Sequence, residues 1–140
     1  MRKPNKRQDI VEAAIGLLAE GGGEALTASA LAERAGVSKA NVFHPFARLD
    51  DIVLEAFEAF LIGMPSMQPP PGMALRDWLM ALGADTAASM DADPALSGAY
   101  FGFVAKARTD AQLREKLAEL ALRVRGQFEA ALVELAPDRF

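Results

Sequence analysis

The sequence predicts an all-α fold, on three observations. Apolar residues recur at helical spacing from Ile10 to Leu135. The breaks between these runs hold glycine, proline or a capping hydroxyl, and no segment reads convincingly as a strand. The predicted architecture is a three-helix head containing a helix-turn-helix, followed by a longer helical region. The 140 residues, 51% of them hydrophobic, suffice for one domain or for two small ones sharing a core.

The first helix carries Ile10, Ala13, Ala14, Leu17 and Leu18 at i, i+3, i+4, i+7 and i+8, one face of an amphipathic helix. Gly21-Gly22-Gly23 is expected to end it, because glycine takes the left-handed conformation without a Cβ clash. Thr27 can cap a second helix running through Leu31 and Ala32 to Ala35. Gly36 permits a tight turn, and Ser38 can cap a short third helix. Pro45 removes an amide and clashes with the carbonyl of Asn41, so this helix should end or kink near His44.

Asp50-Asp51 suits the positive start of a fourth helix bearing Ile52, Val53, Ala56, Phe57, Phe60 and Leu61. Residues 63–73, GMPSMQPPPGM, read as a stiff linker. A fifth helix is expected over about residues 74–89 with Leu75, Trp78, Leu79 and Leu82. A sixth starts at Asp93-Pro94 and carries Tyr100, Phe103, Val104 and Ala107. The last is long, with Leu113, Leu117, Leu120, Val124, Phe128, Ala131 and Leu135 in one stripe and Leu122 and Leu132 off it. The domain reading is a head over residues 1–48 and a helical region over 49–140.

Composition excludes several classes of function. The chain has no Cys, so disulfide frameworks, thiolate metal sites and thiol catalysis are ruled out. The one His, His44, offers no partners for a histidine metal cluster, and neither a metal site nor a cofactor is expected. No acid–base pair or nucleophile constellation supports an enzyme. The basic start MRKPNKRQD is followed by no apolar run, and no stretch reaches the ~18 apolar residues of a membrane span. The expectation is a soluble, cytoplasmic chain. Its net charge of −4 is divided unevenly. Residues 1–48 hold seven Lys/Arg against five Asp/Glu, and residues 49–140 hold eight against fourteen. Only the first part favours a polyanion.

The informative segment is TASALAERAGVSKANVFHPF, residues 27–46. A capped helix, a turn around Gly36 and a short second helix make a helix-turn-helix, whose second helix can enter the DNA major groove. Ser38, Lys39 and Asn41 stand at its leading end. Asn41 is the best base reader, since its amide can pair bidentately with adenine. Thr27 and the first amides of the second helix suit a phosphate. Arg2 to Arg7 admit two readings, a minor-groove arm or a solvated terminus.

These residues resemble the N-terminal domain of the tetracycline-repressor (TetR) family of bacterial transcriptional regulators. The resemblance runs from RKPNKRQDIVEAAIGLLAEGG through Thr27, Leu31-Ala32, Ala35-Gly36-Val37-Ser38 and Phe43-His44-Pro45-Phe46 to DDIVLEAF. It implies a homodimeric, ligand-responsive regulator, read here as a repressor of palindromic operators that a small molecule releases. The alternative is a TetR-like ligand-binding or protein-interaction module with weak or no DNA binding. It also implies a phosphate contact for His44 and a DNA contact for Phe43, whose ring lacks the hydroxyl that commonly touches phosphate. The sequence departs from the family at Phe43, where Tyr is usual, at Pro45, where the helix normally continues, and at Leu49, where a Lys usually touches phosphate. Arg48 is the candidate substitute for that Lys. The DNA-binding set is therefore Thr27, Ser38, Lys39, Ala40, Asn41, Phe43, His44 and Arg48.

Two readings stay open for the aromatic residues of the second region. They are core, or they line an effector pocket, for which Phe60, Trp78, Leu82, Tyr100 and Phe103 are the candidates. Family members usually continue through two further helices that form the dimer interface, whereas this sequence stops at Phe140. The expectation is a homodimer that uses the region around residues 113–135.

Overall fold

The computed structural model describes residues 6–64 and 66–139. Arg2 and Lys3 of the basic lead-in and Pro65 of the linker lie outside the described residues. Seven helices follow in order: α1 (Lys6–Ala25), α2 (Ala28–Ala35), α3 (Lys39–Val42), α4 (Leu49–Ile62), α5 (Leu75–Ala92), α6 (Pro94–Lys106) and α7 (Ala111–Leu135). No strand occurs among the described residues, and the fold is all-α.

The caps fall where local chemistry predicts them. The Ala30 amide donates to Thr27 Oγ1 at 3.1 Å, and the Asn41 amide to Ser38 Oγ at 3.2 Å. Gly36 is left-handed (φ 69°, ψ 34°). Around it, Val37 N–H donates to the Ala32 carbonyl and Gly36 N–H to that of Glu33, the paired bonds of a Schellman stop. Asp110 caps α7 by accepting from the Leu113 amide at 3.0 Å.

Three expectations need correction. The glycine run does not end α1. Only Gly22 leaves helical geometry (φ 67°, ψ −162°), and the helix resumes through Ala25. α4 opens at Leu49, one residue early, because the Asp51 carboxylate accepts from the Arg48 amide at 3.1 Å and supplies the first-turn partner. α5 runs to Ala92, beyond the predicted end, since no glycine or proline follows Ser89 before Pro94.

The core is a continuous buried cluster with contributions from α1, α2, α3, α4, α6 and α7. Phe57, Phe103, Ile10, Leu18, Leu31, Ile52 and Leu113 are its largest fully buried side chains. Phe57 and Phe103 meet edge to face at 5.1 Å, which joins α4 to α6. α5 is attached differently. Trp78 is its one buried residue and lies 5.3 Å from the Phe128 ring of α7. The predicted stripe of α7 does face inward, with Leu113, Leu120 and Ala131 buried and Leu117, Val124, Phe128 and Leu135 half-buried.

α6 turns a different face inward from the one its large apolar residues suggest. Tyr100 and Val104 are exposed, and the buried face is Ala99, Gly102 and Phe103. The cause is close packing on α1. A Cβ at Gly98 would stand 2.5 Å from the Ala19 carbonyl oxygen, and one at Gly102 2.7 Å from that of Leu18. Only glycine at these two positions, four residues apart, lets the backbones come this near.

The packing sets an expected contrast between two helical glycines. Gly102→Val should lower stability by about 1–3 kcal/mol, because the branched side chain has backbone rather than a yielding side chain in its way. Gly126→Ala, at a position in α7 with nothing within 4 Å of the added Cβ, should raise stability by about 0.5–1 kcal/mol. Urea unfolding of the two variants checks both.

Candidate nucleic-acid interface

The helix-turn-helix is built by anchoring one side of α3 and leaving the other bare. Val42 is fully buried, Phe46 is 3% exposed, and Leu31 and Ala32 bury the facing side of α2. Val37, in the turn, also packs on the core. With those residues inward, Ser38, Lys39, Ala40, Phe43 and His44 are exposed, and Asn41 is half-buried at the edge. The structure therefore brings six of the eight sequence-predicted residues together on and beside α3. Thr27 stands apart at the start of α2, and Arg48 at the start of α4.

Each polar group on this surface has capacity left. Thr27 and Ser38 use their oxygens as acceptors in capping, and each hydroxyl still has a proton to donate. The Asn41 side-chain amide, the Lys39 ammonium and the His44 ring are held by no hydrogen bond or ion pair among the described residues. Arg48 is engaged, with Nη2 3.0 Å from Asp50 Oδ2, but its side chain is 72% exposed and the pair is a weak surface one. Leu49 is half-buried and packs against the core.

Pro45 acts as anticipated, and somewhat earlier. α3 closes at Val42, and residues 43–45 form a turn. The carbonyl of Pro45 is met by the guanidinium of Arg7, whose Nη1 donates at 2.9 Å. Arg7 also pairs with Glu55 and lies over the Phe46 ring, so it is neither a free arm nor a solvated terminus. Its position carried a signal. Arg7 precedes Val11 by four residues and Ala14 by seven, which puts it on the buried stripe of α1.

A further cation flanks the head. Arg34, near the end of α2, pairs with Glu20 of α1 at 2.7 Å, and this hydrogen bond holds the Glu20 carboxyl below its ordinary range. The guanidinium of Arg34 lies against Gly16, where a Cβ would come within 2.6 Å of it. A shallow groove of about 290 Å³ runs beside it, lined by Asp9, Glu12, Ala13, Arg34 and Ala35.

The candidate pocket residues separate into two groups. Phe60, Tyr100 and Phe103 form one aromatic cluster, with Phe60 5.5 Å from Phe103 and 6.4 Å from Tyr100. Trp78 packs on Phe128 instead, and Leu82 is half-buried on α5. A larger open groove, about 560 Å³, lies elsewhere, between the end of α4, Met64, Ser66 and Met67, and α7. Leu61, Ile62, Met64, Met67, Leu120 and Val124 supply its apolar lining, and none of the five candidates borders it. Among the described residues no group of three or more His, Asp or Glu could hold a metal ion, and no helix is long and apolar enough to cross a membrane.

Residues 10–56 match the family model described as bacterial regulatory proteins, tetR family. Comparison with curated proteins gives no match. The matched stretch begins at the first core residue of α1, contains the whole of α2 and α3 with their caps, and ends inside α4. Residues 10–56 therefore form a head similar to the N-terminal domain of the tetR family of bacterial regulatory proteins, a family of DNA-binding regulators of transcription.

Proposed function

We propose that the chain is a cytoplasmic, ligand-responsive repressor that binds palindromic operator DNA as a homodimer and is released by a small molecule. In this reading residues 1–48 bind DNA, while residues 49–140 hold the effector and dimerise. The observation that carries it is the outer face of α3, where the side chains of Lys39, Asn41 and His44 have no partner among the described residues, beside the exposed Ser38, Ala40 and Phe43. Asn41 reads bases. Thr27, Ser38, Lys39, His44 and Arg48 meet phosphates, and Phe43 and Ala40 pack against the groove wall.

Release follows from the position of α4. Its first turn adjoins the helix-turn-helix, and its last turn borders the 560 Å³ groove and the aromatic cluster of Phe60, Tyr100 and Phe103. In a dimer the two copies of α3 must lie about 34 Å apart to enter successive major grooves. An effector that binds better to another spacing weakens DNA binding by that difference in affinity. The exposed edge of Tyr100 is the proposed way in.

One observation favours the second reading, a module with weak or no DNA binding. Leu49 packs on the core where the family carries a phosphate-touching Lys, and Arg48 is already paired with Asp50. A mobility-shift titration at several salt concentrations separates the two. Binding that weakens steeply with salt and discriminates between duplexes supports the regulator. Asn41→Ala should then weaken binding to a selected duplex by about 1–3 kcal/mol and leave a random duplex nearly unchanged. Equal loss on both would show that Asn41 does not read bases.

The dimer reading is supported by α7. Opposite its buried stripe, Leu122 and Val133 are 69% and 50% exposed, and they share a face with Gly126. Leu122→Glu should leave the unfolding midpoint nearly unchanged, since the side chain makes little contact within its own chain. It should shift sedimentation from dimer to monomer, because a partner would bury the carboxylate without compensation. A parent protein that is monomeric at micromolar concentration would overturn the dimer.

A further inference from the structure

Arg7 stands in the first turn of α1, and its guanidinium reaches three separate parts of the head. Nε donates to Glu55 Oε1 at 2.9 Å and Nη2 to Glu55 Oε2, so the pair with α4 is bidentate. Nη1 donates to the Pro45 carbonyl at 2.9 Å. The guanidinium carbon lies 4.4 Å from the centroid of the buried Phe46 ring. Both edges of the planar fork and one of its faces are therefore occupied.

What these contacts join matters more than their strength. Pro45 and Phe46 carry the chain out of α3, and Glu55 lies in the second turn of α4. α3 itself is a single turn of four residues, with the capping bond from Ser38 at its start and the buried Val42 at its end. So short a helix has little of its own to set its direction, and the segment leaving it is held by a side chain from α1. Lysine could not do the same, because an ammonium is a point charge without a fork. An ion pair half open to water adds little stability, so the consequence lies in geometry.

We propose that Arg7 is a positioning residue for DNA recognition. It fixes the exit of α3 against α4 through Glu55 and the Pro45 carbonyl, and it contacts no phosphate itself. The inference rests on the DNA-binding reading of α3.

The test uses the full chain and four variants: Arg7→Lys, Arg7→Gln, Glu55→Gln and the double Arg7→Gln/Glu55→Gln. Each is titrated, across a range of salt, against duplexes that the unmodified protein selects from a random-sequence pool and against an unselected duplex. Every single variant should bind the selected duplex about tenfold more weakly, and the double variant no more weakly than the singles. Affinity for the unselected duplex, its salt slope and the helical circular dichroism should stay as in the parent. A phosphate contact would behave otherwise. Arg7→Gln would lower the salt slope by about one, Arg7→Lys would restore it, and Glu55→Gln would strengthen binding. That pattern overturns the proposal, as do additive losses in the double variant or loss of helical signal in Arg7→Lys. If the unmodified protein selects no duplex, the DNA-binding reading fails and the inference with it. Selection by the parent with variants indistinguishable from it sinks the inference alone.

Discussion

The contact on which the rest of the molecule depends is the approach of α6 to α1. Gly98 and Gly102 bring the α6 backbone against the carbonyls of Ala19 and Leu18, at a separation that excludes any side chain between them. The contact determines which face of α6 is buried, and hence that Phe103 points inward to meet Phe57 and Phe60 while Tyr100 and Phe101 point out. An interface with no side chain between the backbones cannot adapt by changing rotamers. It can only hold or separate, which makes it a rigid seat for whatever stands on α1.

What stands on α1 is the recognition head. The same helix that meets α6 through Leu18 and Ala19 buries Ile10, Val11 and Ala14 in the core shared with α2 and α4. It thus belongs to both regions, and the buried cluster passes through it without a gap. α4 strengthens this continuity, because Ile52 and Val53 lie in the same buried cluster and Phe57 and Phe60 meet Phe103 of α6. The region attached most loosely is α5, where Trp78 alone is buried and residues 83–92 are all exposed. If any element yields to an effector at small cost, low contact density marks this one.

Much of this was legible in the sequence wherever the cause is local. Thr27, Gly36 and Ser38 act within three or four residues of themselves, so the two helices and the turn follow from residue type and spacing. The α7 stripe is periodic over six turns and faces inward as its period requires. The exposed set on α3 follows from the same phase once Val42 is placed inside. The rest depends on long-range partners, to which single-helix patterns are blind. Gly98 and Gly102 are four residues apart, but their role needs α1 opposite them. Tyr100 and Val104 look like core until the glycines claim the inward face. Arg7 reads as part of a basic run until Glu55, 48 residues away, is seen beside it. Gly22 shows the opposite limit, since a local break is visible in the glycine run but the short helical turn beyond it is not.

The pairing of its cations bears on how such a head discriminates between duplexes. Arg7 is held by Glu55, Arg34 by Glu20 and Arg48 by Asp50, whereas Lys39 has no acidic partner among the described residues. A phosphate approaching Arg48 must displace Asp50, so the gain is the difference between two ion pairs rather than the whole of one. Cations already neutralised release fewer counterions on binding, which lowers affinity for all duplexes alike. Base contacts are untouched by this reduction. In the proposed reading they arise from Asn41 and its neighbours on α3, and their contribution differs between the right sequence and the wrong one. The internal acids thus reduce the sequence-independent part of binding and leave the sequence-dependent part intact. A modest net charge on the head is therefore compatible with selective recognition, and selectivity then depends on how firmly the short α3 is aimed.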